Sequence, residues 1–224
     1  SRGRRSEAPE ELRDRVKVVR CGIDVSRFQP DSDSPKTIDV VCVAGAHPMK
    51  GIVYLIRATR LLKDRYPNIR VLHIGGGSAT EAAIYRQECE TLALGECFTL
   101  AGPKPSDQVK QHLAQSRVFA LPCIITEEGQ MDGLPVALME AAAMELPMVS
   151  TDVAGIPELV IDGVTGLVVP QRDPEALAAA VQRLLDDEDL RRRLGKAARK
   201  RVEEEFTREA NGEHLLTYLK PFLS

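Results

Sequence analysis

The sequence predicts an α/β fold in which a parallel sheet of about six strands carries helices on both faces. Apolar runs of strand length alternate along the chain with longer segments of helical period, the pattern that βαβ units leave in a sequence. A loop containing glycine follows each of the first four runs: Gly45, Gly75 to Gly77, Gly102, and the stretch from Cys123 to Gly133. In open parallel sheets ligands bind at the carboxyl ends of the strands, where the strand order reverses, so this recurrence marks one edge of the sheet as functional.

The elements follow in order. Val16-Lys17-Val18-Val19 reads as a strand, and Pro30-Asp31-Ser32-Asp33-Ser34-Pro35 has the turn-rich composition of a linker, which sets a boundary near Pro35. Six strands are then expected at Ile38 to Ala44, Ile69 to Gly75, Cys97 to Leu100, Val118 to Pro122, Met148 to Thr151 and Thr165 to Val169. Gly51 to Tyr66 carries Ile52, Leu55, Ile56, Ala58, Thr59 and Leu62 at helical spacing. Ser106 is expected to cap a helix running to about Ser116, Pro135 to occupy the first turn of another, and Asp173-Pro174 to open a third. Leu190 to Glu205 is a charged helical run that breaks near Phe206-Thr207, and a last helix is expected over Arg208 to Leu219. The chain thus divides into residues 1–35 (tail, strand and linker), 36–206 (the sheet domain) and 207–224 (a terminal helix).

Composition narrows the class. With 43% hydrophobic and 28% charged residues and a net charge of −3, the chain reads as a soluble globular domain with no apolar run near the ~20 residues needed to span a membrane. Nothing in it points to nucleic acid. Arg2, Arg4 and Arg5 form a basic start that reads as a solvated tail, the alternative being contact with anionic lipid or substrate. The cysteines Cys21, Cys42, Cys89, Cys97 and Cys123 are odd in number and lack C-x-x-C spacing, so reduced thiols of a cytosolic protein are expected.

The chemistry concentrates in Asp132-Gly133-Leu134-Pro135-Val136-Ala137-Leu138-Met139-Glu140, followed by Ala141-Ala142-Ala143 and, further on, by Gly155-Ile156-Pro157-Glu158-Leu159. Two carboxylates stand eight residues apart across a helix start, the second within an apolar helix. An unpaired buried charge would cost several kcal/mol, so Glu140 requires a polar partner. Gly133 permits close approach of a ligand to the backbone, and the free N–H groups of the helix start suit a phosphate. Phosphate at one end and hydroxyls at the other describe a nucleotide sugar.

This segment resembles the signature of the retaining glycosyltransferases of family four, the "group 1" glycosyl transferases of the GT-B fold, in which two glutamates flank seven residues and hold the donor sugar and the ribose. The other landmarks are similar in order: Cys21-Gly22-Ile23-Asp24 with Phe28 and Pro30, Lys50-Gly51, Gly75-Gly76-Gly77, Phe98-Thr99-Leu100-Ala101-Gly102, Phe119-Ala120-Leu121-Pro122 and Asp162-Gly163-Val164-Thr165-Gly166-Leu167. The match spans about residues 16 to 206. A GT-B enzyme has two Rossmann-like halves, so the resemblance implies the C-terminal, donor-binding, Rossmann-like half, with the acceptor half preceding Ser1. The terminal helix is then expected to pack toward that other half.

Further implications follow from the resemblance. Lys50 matches a lysine that neutralises the departing diphosphate, and Asp132 takes the place of the first glutamate, positioning the donor and stabilising charge. Gly45, Gly76, Lys104, Gly133, Leu134, Pro135 and Glu140 form the expected substrate-binding set, Lys104 lying where the family holds the base and Glu140 where it holds the ribose. The family's loop arginine is absent: Ala46 stands in its place in a loop about one residue short, and His47 offers a donor without a full charge. Loss of such a contact is worth around 10²–10³ in rate if nothing compensates. No metal and no resident cofactor are expected, the nucleoside diphosphate sugar being a substrate.

Structural alternatives stand beside these readings. Glu140 could pair with an arginine of a neighbouring helix, Lys50 could simply open an exposed helix, and Lys104 has no assured contact with the base. His73 reads as a core histidine, Glu127 and Glu128 as solvated, and Glu158 as the anchor of a short helix. Asp31-Ser32-Asp33 has the pattern of a divalent-metal triplet but is rejected because it lies in a linker rather than at a strand end. The run Gly75-Gly76-Gly77 lacks the full G-x-G-x-x-G and the following acidic residue of an NAD site.

The expectation is therefore the donor half of an enzyme that moves a hexose to a glycan, lipid or other hydroxyl acceptor in polysaccharide biosynthesis, cytoplasmic or peripheral at the inner face of the membrane, the isolated chain being inactive. The rivals are a non-catalytic nucleotide-sugar-binding module, favoured by the missing arginine, and an NAD-dependent oxidoreductase.

Overall fold

The structure, a computed structural model, describes residues 9, 11, 17–31 and 33–220. Six strands form one sheet: β1 Ile38–Val43, β2 Val71–Ile74, β3 Phe98–Leu100, β4 Ser116–Leu121, β5 Met148–Thr151 and β6 Gly166–Val169. Their order is β3-β2-β1-β4-β5-β6, and every neighbouring pair is parallel. The order reverses between β1 and β4, which is the doubly wound, Rossmann-like arrangement the sequence led us to expect.

Seven α-helices are described: α1 Ile52–Arg65, α2 Ala79–Thr91, α3 Ser106–Ala114, α4 Val136–Ala143, α5 Pro174–Asp186, α6 Glu188–Glu205 and α7 Arg208–Leu219. α1 packs against α2 and α5, while α4 packs against α6, so the sheet is covered on both faces. Burial of consecutive residues follows from that covering. Val40, Val41 and Cys42 in β1 and Val118 to Leu121 in β4 are all fully buried, where a one-sided sheet would bury alternate residues.

Local chemistry explains most boundaries. Asp173 caps α5 by accepting from the Ala176 amide, with Pro174 in the first turn, and Asp187 and Thr207 cap α6 and α7 in the same way. Ser78 and Glu81 form a reciprocal capping box at α2. Two expected helix starts are corrected. Pro105, with φ −58° and ψ 150°, takes the cap position of α3, so Ser106 is its first residue and its side chain makes no capping bond. Pro135 likewise takes the cap position of α4, its ψ of 129° placing the turn to helix after it. α3 also ends earlier than expected, because Ser116 starts β4 and its hydroxyl donates to His112 O at 2.6 Å.

The strand expected at Val16–Val19 is not formed: residues 17–20 are irregular, and Val16 lies outside the described residues. The segment instead docks by way of Ile23, which bridges to Thr207, and Phe28, both buried in the same core as the sheet. Gly22 permits the crossing, since a β-carbon there would stand 2.3 Å from Thr207 O. Arg20 fixes it further, with Nε 2.7 Å from Glu158 Oε2 and the guanidinium 5.1 Å from the centre of the Phe206 ring. Glu158 thus anchors this segment to the short turn Ile156–Glu158. Of the Asp31-Ser32-Asp33 triplet, Ser32 lies outside the described residues.

Candidate active site

The site lies at the carboxyl ends of β1 and β4, the two strands between which the order reverses. After β1 the chain makes a tight turn over Pro48–Lys50 and closes on Gly51, whose φ is +67°. Met49 O accepts from Ile124 N at 2.9 Å, which ties this turn to the loop leaving β4. Lys50 is thereby aimed across the seam, and its Nζ stands 2.5 Å from Asp132 Oδ2, with the two side chains 16% and 22% exposed. The two residues singled out from the sequence as the catalytic pair are in direct contact. Lys50 opens no exposed helix: it precedes α1 and pairs with Asp132.

The loop carrying Asp132 is fixed from several sides. Gly133 O accepts from Gly155 N at 2.7 Å, Ile125 N donates to Gln171 Oε1 at 2.9 Å, and Arg172 donates to Ile125 O at 2.5 Å. A β-carbon on Gly133 would meet nothing within 4 Å, so space lies open above it. Leu134 is half-buried and Pro135 buried where the loop turns into α4. No side chain caps that helix start, which leaves its first amides and the positive end of its dipole available to an anion.

Glu140 lies about one turn further on in α4, half-buried among buried neighbours. Its carboxylate makes no hydrogen bond or ion pair among the described residues, so the alternative of a pairing arginine is not realised. Burial pushes the Glu140 carboxyl above its ordinary range, and the Arg27 charge opposes that shift. An ionisable group kept half-dry without an ion pair is in the condition expected of a binding residue.

Glycines gather at the neighbouring strand end, after β2. Gly75 has φ +158°, and a β-carbon there would stand 1.7 Å from Ala44 O. Gly76 O accepts from Ala46 N at 2.7 Å, and Gly76 faces Pro103 across a cavity of about 170 Å³ also lined by Gly77, Tyr85, Arg86 and Gly102. Gly45 has the His47 ring as its neighbour. His73 is buried beneath them, its Nε2 3.0 Å from Ala44 O, with burial pushing its pKa down, so it is a core histidine. Lys104 is exposed on the loop from β3 to α3 and makes no hydrogen bond or ion pair among the described residues.

The departure at position 46 has a structural counterpart. Ala46 is 4% exposed and its methyl is packed against Gly77, where a β-carbon would come within 2.5 Å of it. His47 is drawn aside, its Nδ1 3.6 Å from Glu81 Oε1. Serine and backbone hydrogen bonds from Ser78 hold the Glu81 carboxyl below its usual range, so this partner is anionic.

Three contributions were missed in the sequence. Gln171 and Arg172 reach the site loop from beyond β6, with Arg172 itself at φ +59°, and Cys123 places its thiol 3.8 Å from Asp132 Oδ2. Only the last had a legible signal, a cysteine at the strand end that opens the loop to Asp132. Among the described residues no group of three or more His, Cys, Asp or Glu side chains is arranged to hold a metal.

A family model for "Glycosyl transferases group 1" matches residues 24–201. The chain belongs to this family. It is 34% identical over 198 residues to the amylovoran biosynthesis glycosyltransferase AmsK of Erwinia amylovora, covering 86% of this chain and 47% of that protein. It is 33% identical over 189 residues to a GDP-mannose-dependent alpha-(1-6)-phosphatidylinositol monomannoside mannosyltransferase of Mycolicibacterium smegmatis, covering 80% and 49% respectively. The chain thus spans about half the length of the curated relatives it matches. Among solved structures it is similar to a sucrose-phosphate synthase from Thermosynechococcus elongatus, with a TM-score of 0.81 and 26% identity over 98% of this chain and 57% of that one. The fold is shared with Anabaena HepE in complex with UDP at a TM-score of 0.83 and 18% identity, over 96% and 59% of the two chains.

Proposed function

We propose that this group 1 glycosyl transferase domain binds the nucleoside diphosphate sugar of a retaining enzyme that moves a hexose to a hydroxyl of a glycan or lipid-linked acceptor. The observation that carries the reading is the Lys50–Asp132 pair set beside an uncapped helix start, with the unpartnered Glu140 carboxylate further along the same helix. A departing diphosphate gathers negative charge, which Lys50 and the free amides of α4 would stabilise, while Asp132 orients the sugar and Glu140 the ribose. Gly45, Gly76 and Lys104 would line the base and phosphate side. The reading requires neither a metal nor a resident cofactor.

The acceptor would be held by a separate domain. α7 exposes Leu215, Leu216, Tyr218 and Leu219, an apolar strip suited to pack against that domain. No helix among the described residues is long and apolar enough to cross a membrane. We assign the enzyme to the cytoplasm or to the inner membrane surface, in polysaccharide or glycolipid assembly.

Calorimetric titration of this chain with UDP, GDP, ADP and NAD, repeated with Glu140→Ala, tests the reading. Binding of one nucleoside diphosphate that the variant loses supports it and names the base. Failure of all three at millimolar concentration, or binding of NAD alone, overturns it. A second reading, a nucleotide-sugar-binding module without catalysis, is favoured by the buried Ala46 in place of a cation. Donor turnover by the full-length protein separates the two.

A further inference from the structure

We propose that Cys123 is a positioning residue for the donor sugar: its thiol and the Lys50 ammonium together hold one oxygen of Asp132 and leave the other oxygen to a sugar hydroxyl. The inference rests on the donor-binding reading above. Both contacts fall on Oδ2, Lys50 Nζ at 2.5 Å and Cys123 Sγ at 3.8 Å. Oδ1 has no partner among the described residues.

The thiol is the fixed member of this arrangement. Cys123 is fully buried, its amide donates to Leu121 O at 3.0 Å, and its carbonyl accepts from the Thr151 hydroxyl at 2.5 Å. A second buried hydroxyl, Ser150, donates to Leu121 O at 2.6 Å, so β5 pins the end of β4 at two successive points. The loop of Asp132 is tied from outside at Ile125 and Gly133, but neither tie touches the carboxylate. The bonds between Thr126 and Gln130 and between Gly129 and Thr126 are internal to its loop, and Gly129 stands at φ +77°.

Proton bookkeeping gives the direction of the bond. Burial pushes the Cys123 thiol up to about 12, with the Asp132 charge adding to the rise, so the sulfur keeps its proton at neutral pH and donates to the carboxylate. A thiol is a weak donor, but it constrains the carboxylate where an aspartate, one methylene shorter than the family's glutamate, has to be drawn toward the strand end. The lysine supplies the charge and the thiol the direction.

The test compares ligands with and without the sugar. Affinities of wild-type, Cys123→Ala and Cys123→Ser chains are measured for UDP-glucose against UDP and for GDP-mannose against GDP. Cys123→Ala is expected to weaken the sugar-bearing ligand about 2- to 10-fold while leaving the matching diphosphate unchanged, and Cys123→Ser to restore the difference, since a hydroxyl also donates. Equal weakening of both ligands, or no change in either, overturns the proposal. A chain that binds no nucleotide overturns the donor-binding reading and this proposal with it.

The infrared S–H stretching band separates the two. Assigned by its loss in Cys123→Ala or, should that variant not fold, in Cys123→Ser, it is expected to move toward the frequency of a free thiol in Asp132→Ala. A band unmoved by Asp132→Ala overturns the proposal whatever the chain binds.

Discussion

Gly51 and Pro122 meet with no room for a methyl group between them. A β-carbon at position 51 would lie 1.9 Å from the Pro122 carbonyl oxygen, and the residue holds φ +67°. The contact joins the turn after β1 to the end of β4, so it sets the height at which Lys50 crosses to Asp132. Gly51→Ala is therefore expected to combine left-handed backbone strain with a clash against main chain, destabilising the domain by about 2–4 kcal/mol in a urea titration. Nucleotide affinity should fall in the same variant at temperatures where it remains folded.

Glu140 places binding and stability in opposition. Its folded-state pKa lies above the ordinary carboxylate value, so the folded chain holds this proton more tightly than the unfolded chain does. Stability from this group is highest where the carboxyl is protonated in both states, and it falls as pH rises from the ordinary value through the raised one. Glu140→Gln is expected to have a higher Tm than the wild type at neutral pH, with the difference vanishing at acid pH. The same variant should bind the nucleoside diphosphate about 10- to 100-fold more weakly, the scale of lost hydrogen bonds to a charged group.

Restoring the family's arginine should not restore a stronger site. Ala46 is buried and its methyl faces Gly77, so Ala46→Arg forces a long charged chain into a packed position. The expected result is a loss of about 1–3 kcal/mol in thermal or urea unfolding, with no gain in nucleotide affinity by calorimetry. A tighter-binding and equally stable variant would show that the loop opens to accommodate the guanidinium.

The thiols should separate by burial. Cys21 is exposed, whereas Cys42 and Cys123 are fully buried and burial pushes both thiols well up, with Cys89 raised to about 11. Because the thiolate is the nucleophile, native protein treated with iodoacetamide at neutral pH is expected to be labelled first at Cys21, and Cys42 and Cys123 only after unfolding, as read by mass spectrometry. Labelling of Cys123 in the folded chain at the rate of Cys21 would contradict the packing at the strand end.

The sheet was legible in the sequence because its interior strands are buried on both faces and read as unbroken apolar runs. β5 was placed to the residue, and β1 and β6 within one residue. Two errors lie where a single backbone angle decides: Pro105 takes the cap position assigned to Ser106, and Pro135 stops one residue short of α4. Asp132 and Glu140 stand out in the sequence because a carboxylate just before a Gly-x-Pro helix start and another within an apolar helix are both local patterns. The meeting of Lys50 with Asp132 and the reach of Gln171 and Arg172 to Ile125 depend on strands distant in sequence, and local pattern carries no record of them. The docking of residues 23 to 28 escaped for the same reason, since it depends on Gly22 fitting beneath Thr207.

The pairing of β1 with β4 has a kinetic corollary. Val41 aligns with Phe119 across a long stretch of intervening chain, whereas β4 with β5 and β5 with β6 close much shorter loops. Contacts of high sequence separation form against the largest loss of chain freedom, so this seam is among the slower joints to form as the polypeptide collapses. Lys50 and Asp132 sit on its two sides. Recovery of ligand binding during refolding should therefore trail recovery of helical signal, and a nucleotide bound across the seam would act as a clasp on the joint that forms late.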